Sequence, residues 1–130
     1  MVTDSDPMAR KRRADSLIEA TARELHELLQ EAAARLQPFP PLPGSFFTYG
    51  IEIEGGFADS PERGCVVLAP DGELYEFELS IDFSDGGSDP VAARDETLKK
   101  LDFHPRDYIV FAYNALTRVT ELLMEQESTE

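Results

Sequence analysis

Between Pro7 and Pro38 the chain carries neither proline nor glycine, and this gap is what most restricts the fold. Ser5-Asp6-Pro7 places a capping carboxylate before a proline at the first helical position, so one helix is expected from about Pro7 to Leu36. Within it Ile18, Ala22, Leu25, Leu29, Ala32 and Leu36 recur at spacings of 4, 3, 4, 3 and 4, the seam of a helix that packs lengthwise on another. Leu17 and Leu28 widen that seam. Such a helix measures about 45 Å at 1.5 Å per residue. A compact domain of 130 residues has a radius of gyration of only about 14 Å. The first turns, residues 1–13, therefore either fray or project and find a partner. Ile18, Leu25, Leu29 and Leu36 become candidate interface residues.

Charge divides the chain at the end of this helix. Residues 1–37 hold 7 acids and 6 bases, whereas residues 38–130 hold 19 acids and 6 bases, for a total of −14. Binding to nucleic acid in general needs clustered Lys and Arg to neutralise phosphates, so that class is not expected here. The four consecutive bases Arg10, Lys11, Arg12 and Arg13 point around the early helix and cannot form one basic face. They are not followed by an apolar signal stretch, and no run approaches the roughly 18 apolar residues of a membrane span, so a cytoplasmic protein with no membrane partner is expected.

After the stiff connector Pro38-Phe39-Pro40-Pro41-Leu42-Pro43-Gly44 the period changes from helical to two. A first strand is expected to put Phe47, Tyr49, Ile51 and Ile53 on one face. The apolar run Cys65–Ala69 reads as a central strand, and Pro70-Asp71-Gly72 as a tight turn. A third strand follows, with Tyr75, Phe77, Leu79, Ile81 and Phe83 expected inward and Glu76, Glu78, Ser80 and Asp82 outward. Ser88-Asp89-Pro90 repeats the capping device of the first helix and predicts a short helix to about Leu101. A final helix runs from about Pro105 to Met124, leaving residues 125–130 as a mobile tail. The expected fold is a single α+β domain over 1–130: a long N-terminal helix, a three-stranded antiparallel meander, and two C-terminal helices packed on one sheet face.

The residues that carry chemistry exclude more than they suggest. Gly55-Gly56 and Gly86-Gly87 lack the spacing of phosphate loops. Asp85, Asp89 and Glu96 fit three positions of a calcium loop, yet Pro90 occupies the position that requires glycine. His26 and His104 each lack a second ligand at metal spacing. Cys65 lies in an apolar strand, away from the positive setting of a nucleophile. No catalytic residue, cofactor or metal is implied. What remains is an acidic face, Glu52 and Glu54 on the first strand with Glu76, Glu78 and Asp82 on the third.

Size, acidity and the order helix–strands–helix resemble those of small acidic secretion chaperones, and the resemblance implies a dimer that holds unfolded segments of client proteins. From the residues themselves, the expected function is a non-enzymatic protein-interaction domain, homodimeric or a subunit of a small complex. The alternatives are a cation-dependent ligand-binding protein or enzyme that uses the acidic face, and a mimic of DNA.

Overall fold

A computed structural model describes residues 6–81 and 94–128. Helix α1 spans Pro7–Arg35, β1 Ile51–Ile53, β2 Cys65–Leu68, β3 Leu74–Ile81, β4 Arg94–Lys100, and α2 Pro105–Ser128. The four strands form one antiparallel sheet in the order β1-β2-β3-β4. The α+β class and the meander agree with expectation. The strand count and the C-terminal helices do not.

The short helix expected up to Leu101 is instead β4, whose Leu98 lies opposite Phe77 and Glu96 opposite Leu79. Glu, Leu and Lys favour helix intrinsically, but seven residues paired along β3 outweigh that small preference. Ser88-Asp89-Pro90, on which the expectation rested, lies outside the described residues, as do Asp82 and Phe83. One helix thus follows the sheet, and the covering layer consists of α1 and α2. It continues to Ser128, so residues 125–128 extend the helix where a tail was expected.

Helix α1 begins where the sequence predicts. The Asp6 carboxylate accepts from the Met8 N–H at 3.1 Å, and Pro7 opens the first turn. Residues 7–13 belong to the helix, with Lys11 paired to Asp15 at 2.7 Å. The two helices run in the same direction. Residues 11–19 border the start of α2 at His104–Arg106, Leu28 and Arg35 flank Leu116 and Leu123, and Gln126 donates to the Pro38 carbonyl at 3.3 Å.

The core lies between this helix pair and the β1–β2 end of the sheet. Leu29 and Leu36 of α1 and Phe111, Ala112, Ala115 and Val119 of α2 close over Ile51, Ile53, Val66, Leu68 and Leu74. The turn from β2 to β3 is shut by the Gly72 N–H donating to the Ala69 carbonyl at 2.9 Å. Gly72 has φ of +80°, and an added Cβ would stand 2.6 Å from the Cα of Gln30. Only glycine permits that backbone angle and the direct contact of the turn with α1.

The face assignment of β3 is the reverse of that expected. Opposed residues in an antiparallel pair share a face, and Leu74 pairs with Leu68 beneath the helices. Tyr75, Phe77 and Leu79 therefore lie on the far face, and Glu76 and Glu78 on the helix side, past the helices' cover. Their alternation was legible, but a period of two fixes only that faces differ, not which one is covered. The far face has its own cover near β2: Val67 is fully buried, Leu42 nearly so, and Gly50 packs directly on Val67. β1 is shorter than the pattern suggests. Phe47 and Tyr49 belong to a looped hairpin closed by the Pro41–Tyr49 bridge and are exposed.

Two outcomes follow from this packing. Leu29→Ala should cost about 2–5 kcal/mol, because a fully buried leucine leaves a cavity at the helix–sheet junction. Removal of residues 1–13 should preserve cooperative melting and cost the single chain less than about 1 kcal/mol, since residues 6–13 bury little against it. Denaturant titration of both variants measures each value.

Candidate functional site

The structure separates the residues proposed for an interface. Leu29 and Leu36 are buried in the chain's own core, Leu25 packs partly against it, and Ile18 is half-buried beside the start of α2. The seam is thus occupied internally. One residue earlier at each step runs a second series, Arg10, Ala14, Leu17, Thr21, Glu24, Leu28, Glu31 and Arg35, with the same spacings of 4 and 3, and every member is exposed. Leu17 and Leu28 do not widen the buried stripe; they are 64% and 41% accessible. Beside Leu28 a groove of about 300 Å³ opens between the helices, walled by the apolar Ala32, Leu116 and Leu123 and by the polar Glu31, Arg35 and Thr120.

The acidic residues do not form one face. Glu52 sits opposite Val67 on the far face of the sheet, while Glu76 sits opposite Val66 on the helix side. Glu54 follows β1 and is exposed, its carbonyl accepting from the Asn114 side chain at 2.7 Å. Glu76 accepts from the Gly64 N–H at 2.7 Å, a local tie. Asp82 lies outside the described residues. Among the described residues no three His, Cys, Asp or Glu side chains converge as a metal site would require.

A second apolar display lies on the far face. The carboxylate of Glu96 on β4 accepts from the Phe46 N–H at 2.7 Å, the Phe47 N–H at 3.0 Å and the Thr48 hydroxyl at 2.8 Å. Charge-assisted bonds of this kind fix the loop. It holds Phe46 and Phe47 edge-to-face with more than half of each accessible, near Leu79 and the outer strand β4.

A polar cleft, about 530 Å³, lies between α1, the β2–β3 turn and the start of α2. The turn delivers Glu73 to α1, where its carboxylate meets His26 Nε2 at 2.6 Å and accepts from Gln30 at 3.1 Å, with the Lys100 ammonium 3.7 Å away. Tyr108 stands edge-on to His26, and its hydroxyl is buried without a hydrogen-bond partner. Burial, helped by the Glu73 charge, pushes this phenol up to about 12, so it remains a neutral donor. Burial also raises the Cys65 thiol to about 11, aided by Glu52, which removes nucleophilic character at neutral pH.

Sequence reasoning missed the second helical stripe, the Glu96 clamp and the His26–Glu73 pair. The stripe was legible, since its spacing is periodic and its charges run from basic to acidic. The pair joins residues 47 positions apart, and no local signal announces it. Among the described residues no helix is long and apolar enough to cross a membrane. Comparison with protein-family models, with characterised proteins and with solved structures finds no match to this chain.

Tyr108→Phe should hold or raise stability at pH 7, by up to about 1 kcal/mol, because it removes a desolvated hydroxyl and no hydrogen bond. A phenol whose pKa is higher folded than unfolded contributes stability that is complete below about pH 10 and is lost as the pH rises through about 12. Wild-type stability should fall across that window more steeply than that of the variant in pH-dependent denaturant titrations. Glu96→Ala should cost about 1–3 kcal/mol by stranding the loop donors, and should speed amide exchange at Phe46 and Phe47.

Proposed function

We propose that this chain is a non-enzymatic protein-interaction domain of the cytoplasm that acts as a homodimer or as a subunit of a small complex. The observation that carries the reading is the exposed second stripe of α1, on a helix whose first turns extend from the body with Leu17 uncovered. Formation of a rigid helix there costs conformational entropy that contact with the body does not offset, and a partner surface would offset it. The clamped Phe46–Phe47 loop beside the outer strand supports the same reading. In a chaperone-like version of it, an extended apolar client segment would lie along β4 against those rings. The cation-dependent alternative gains no support from a carboxylate set divided between two faces.

Size-exclusion chromatography with light scattering tests the reading. The expected mass at micromolar concentration is twice the 14.5 kDa of the chain. A mass of one chain throughout would remove the homodimeric version.

A further inference from the structure

We propose that two copies of this chain pair through their α1 helices in antiparallel orientation, the basic first turns of each lying along the acidic second half of the other. The proposal rests on the reading of the chain as a self-associating domain and specifies the surface. Its basis is the order of charge along one exposed stripe. Reading from the N-terminus, the stripe carries Arg10, then the small or apolar Ala14, Leu17 and Thr21, then Glu24, Leu28 and Glu31, and ends on Arg35. Arg13 flanks the basic end and Glu27 the acidic end.

Orientation follows from this order. Antiparallel pairing sets Arg10 and Arg13 beside Glu24, Glu27 and Glu31 of the second copy, twice, about one two-fold axis near the middle of α1. Parallel pairing sets base on base and acid on acid. The antiparallel form therefore closes as a dimer in which the basic turns of each copy meet the glutamates of the other, with Arg35 lying past Arg10 at the start of the partner helix. Leu17 and Thr21 lie at the crossing, where side chains from the two copies meet. Farther along, Leu28 and the groove walled by Ala32, Leu116 and Leu123 offer apolar surface to the partner's Ala14 and to the aliphatic stem of its Arg10.

The first turns of α1 cannot fill this groove in their own chain. The groove borders the C-terminal half of α1, and a continuous 29-residue helix cannot bend its own first turns back onto it. Charge favours a second copy over an arbitrary protein. Residues 38–130 carry −13, so two bodies repel, and the basic turns at residues 10–13 are the segment that can turn that repulsion into attraction at short range.

Charge exchange tests the pairing. The variants Arg10→Glu with Arg13→Glu, and Glu24→Arg with Glu31→Arg, each replace attraction by repulsion at both ends of the dimer. Each alone should weaken dimerisation at least about tenfold in low salt, judged from the usual size of surface ion pairs summed over two ends. Mixed in equal amounts, the two variants should recover the dimer as a heterodimer, because every reversed end then meets its complement. Sedimentation equilibrium reads all three samples, and circular dichroism confirms that the exposed substitutions leave the fold intact. A third variant lacking residues 1–13 should be folded and monomeric. A wild-type dimer that neither reversal weakens, or a mixture that stays monomeric after both do, overturns the α1 pairing and leaves self-association standing. A wild-type chain that is monomeric up to about 100 µM, a concentration at which even weak specific pairs form, overturns the self-associating reading itself.

Discussion

Phe111 is the side chain on which the described structure turns. It is fully buried, stacks on Phe103 with centroids 4.7 Å apart, and occupies the space that a Cβ at Gly55 would need, 2.2 Å from its Cζ. One ring therefore fixes the distance of α2 from the loop that leaves β1. Arg63 lies over both rings, its guanidinium carbon 4.8 Å from the Phe103 centroid, so the attraction of a cation for aromatic faces compensates a nitrogen that lacks a hydrogen bond. With α2 placed in this way, α1 can bury Leu29 and Leu36 only on the flank that remains. That choice turns the neighbouring stripe, one residue earlier, toward water.

Helix α1 was legible because a carboxylate and a proline mark its start, and both helices because a helical period sustained over five turns or more is hard to imitate by chance. The turn at Gly72 was legible for a comparable reason, since backbone angle and residue type are tied there. The reversal of β3 was not. Tyr75, Phe77 and Leu79 form the more apolar row, yet the helices cover the row begun by Leu74, because the register with Leu68 decides the matter and register is a property of two strands. β4 was hidden for a similar reason. Its residues suit a helix in isolation, and their strand state depends on pairing with β3.

The candidate surfaces divide along the same line. The basic-to-acidic series on α1 is a local pattern and can be read directly. The Glu96 clamp and the His26–Glu73 pair depend on segments that approach only after the sheet has formed. The expected acidic face failed because it assumed that residues alternating on two different strands share one side. In the folded chain Glu52 and Glu76 are separated by the thickness of the sheet.

The incomplete cover of β3 gives this single strand two thermodynamic regimes. At Leu74 its backbone bonds lie beneath the helix layer, and their exposure requires the core to open. By Glu78 and Leu79 the same strand has left that cover and is bonded to β4 in water-accessible surroundings. Opening at that end must release the Glu96 clamp but leaves the helix-covered core closed, so it is governed by a local equilibrium and not by global unfolding. The distal part of the β3–β4 ribbon can then separate and re-form many times within the lifetime of one folded molecule, while the proximal part records each passage of the whole domain.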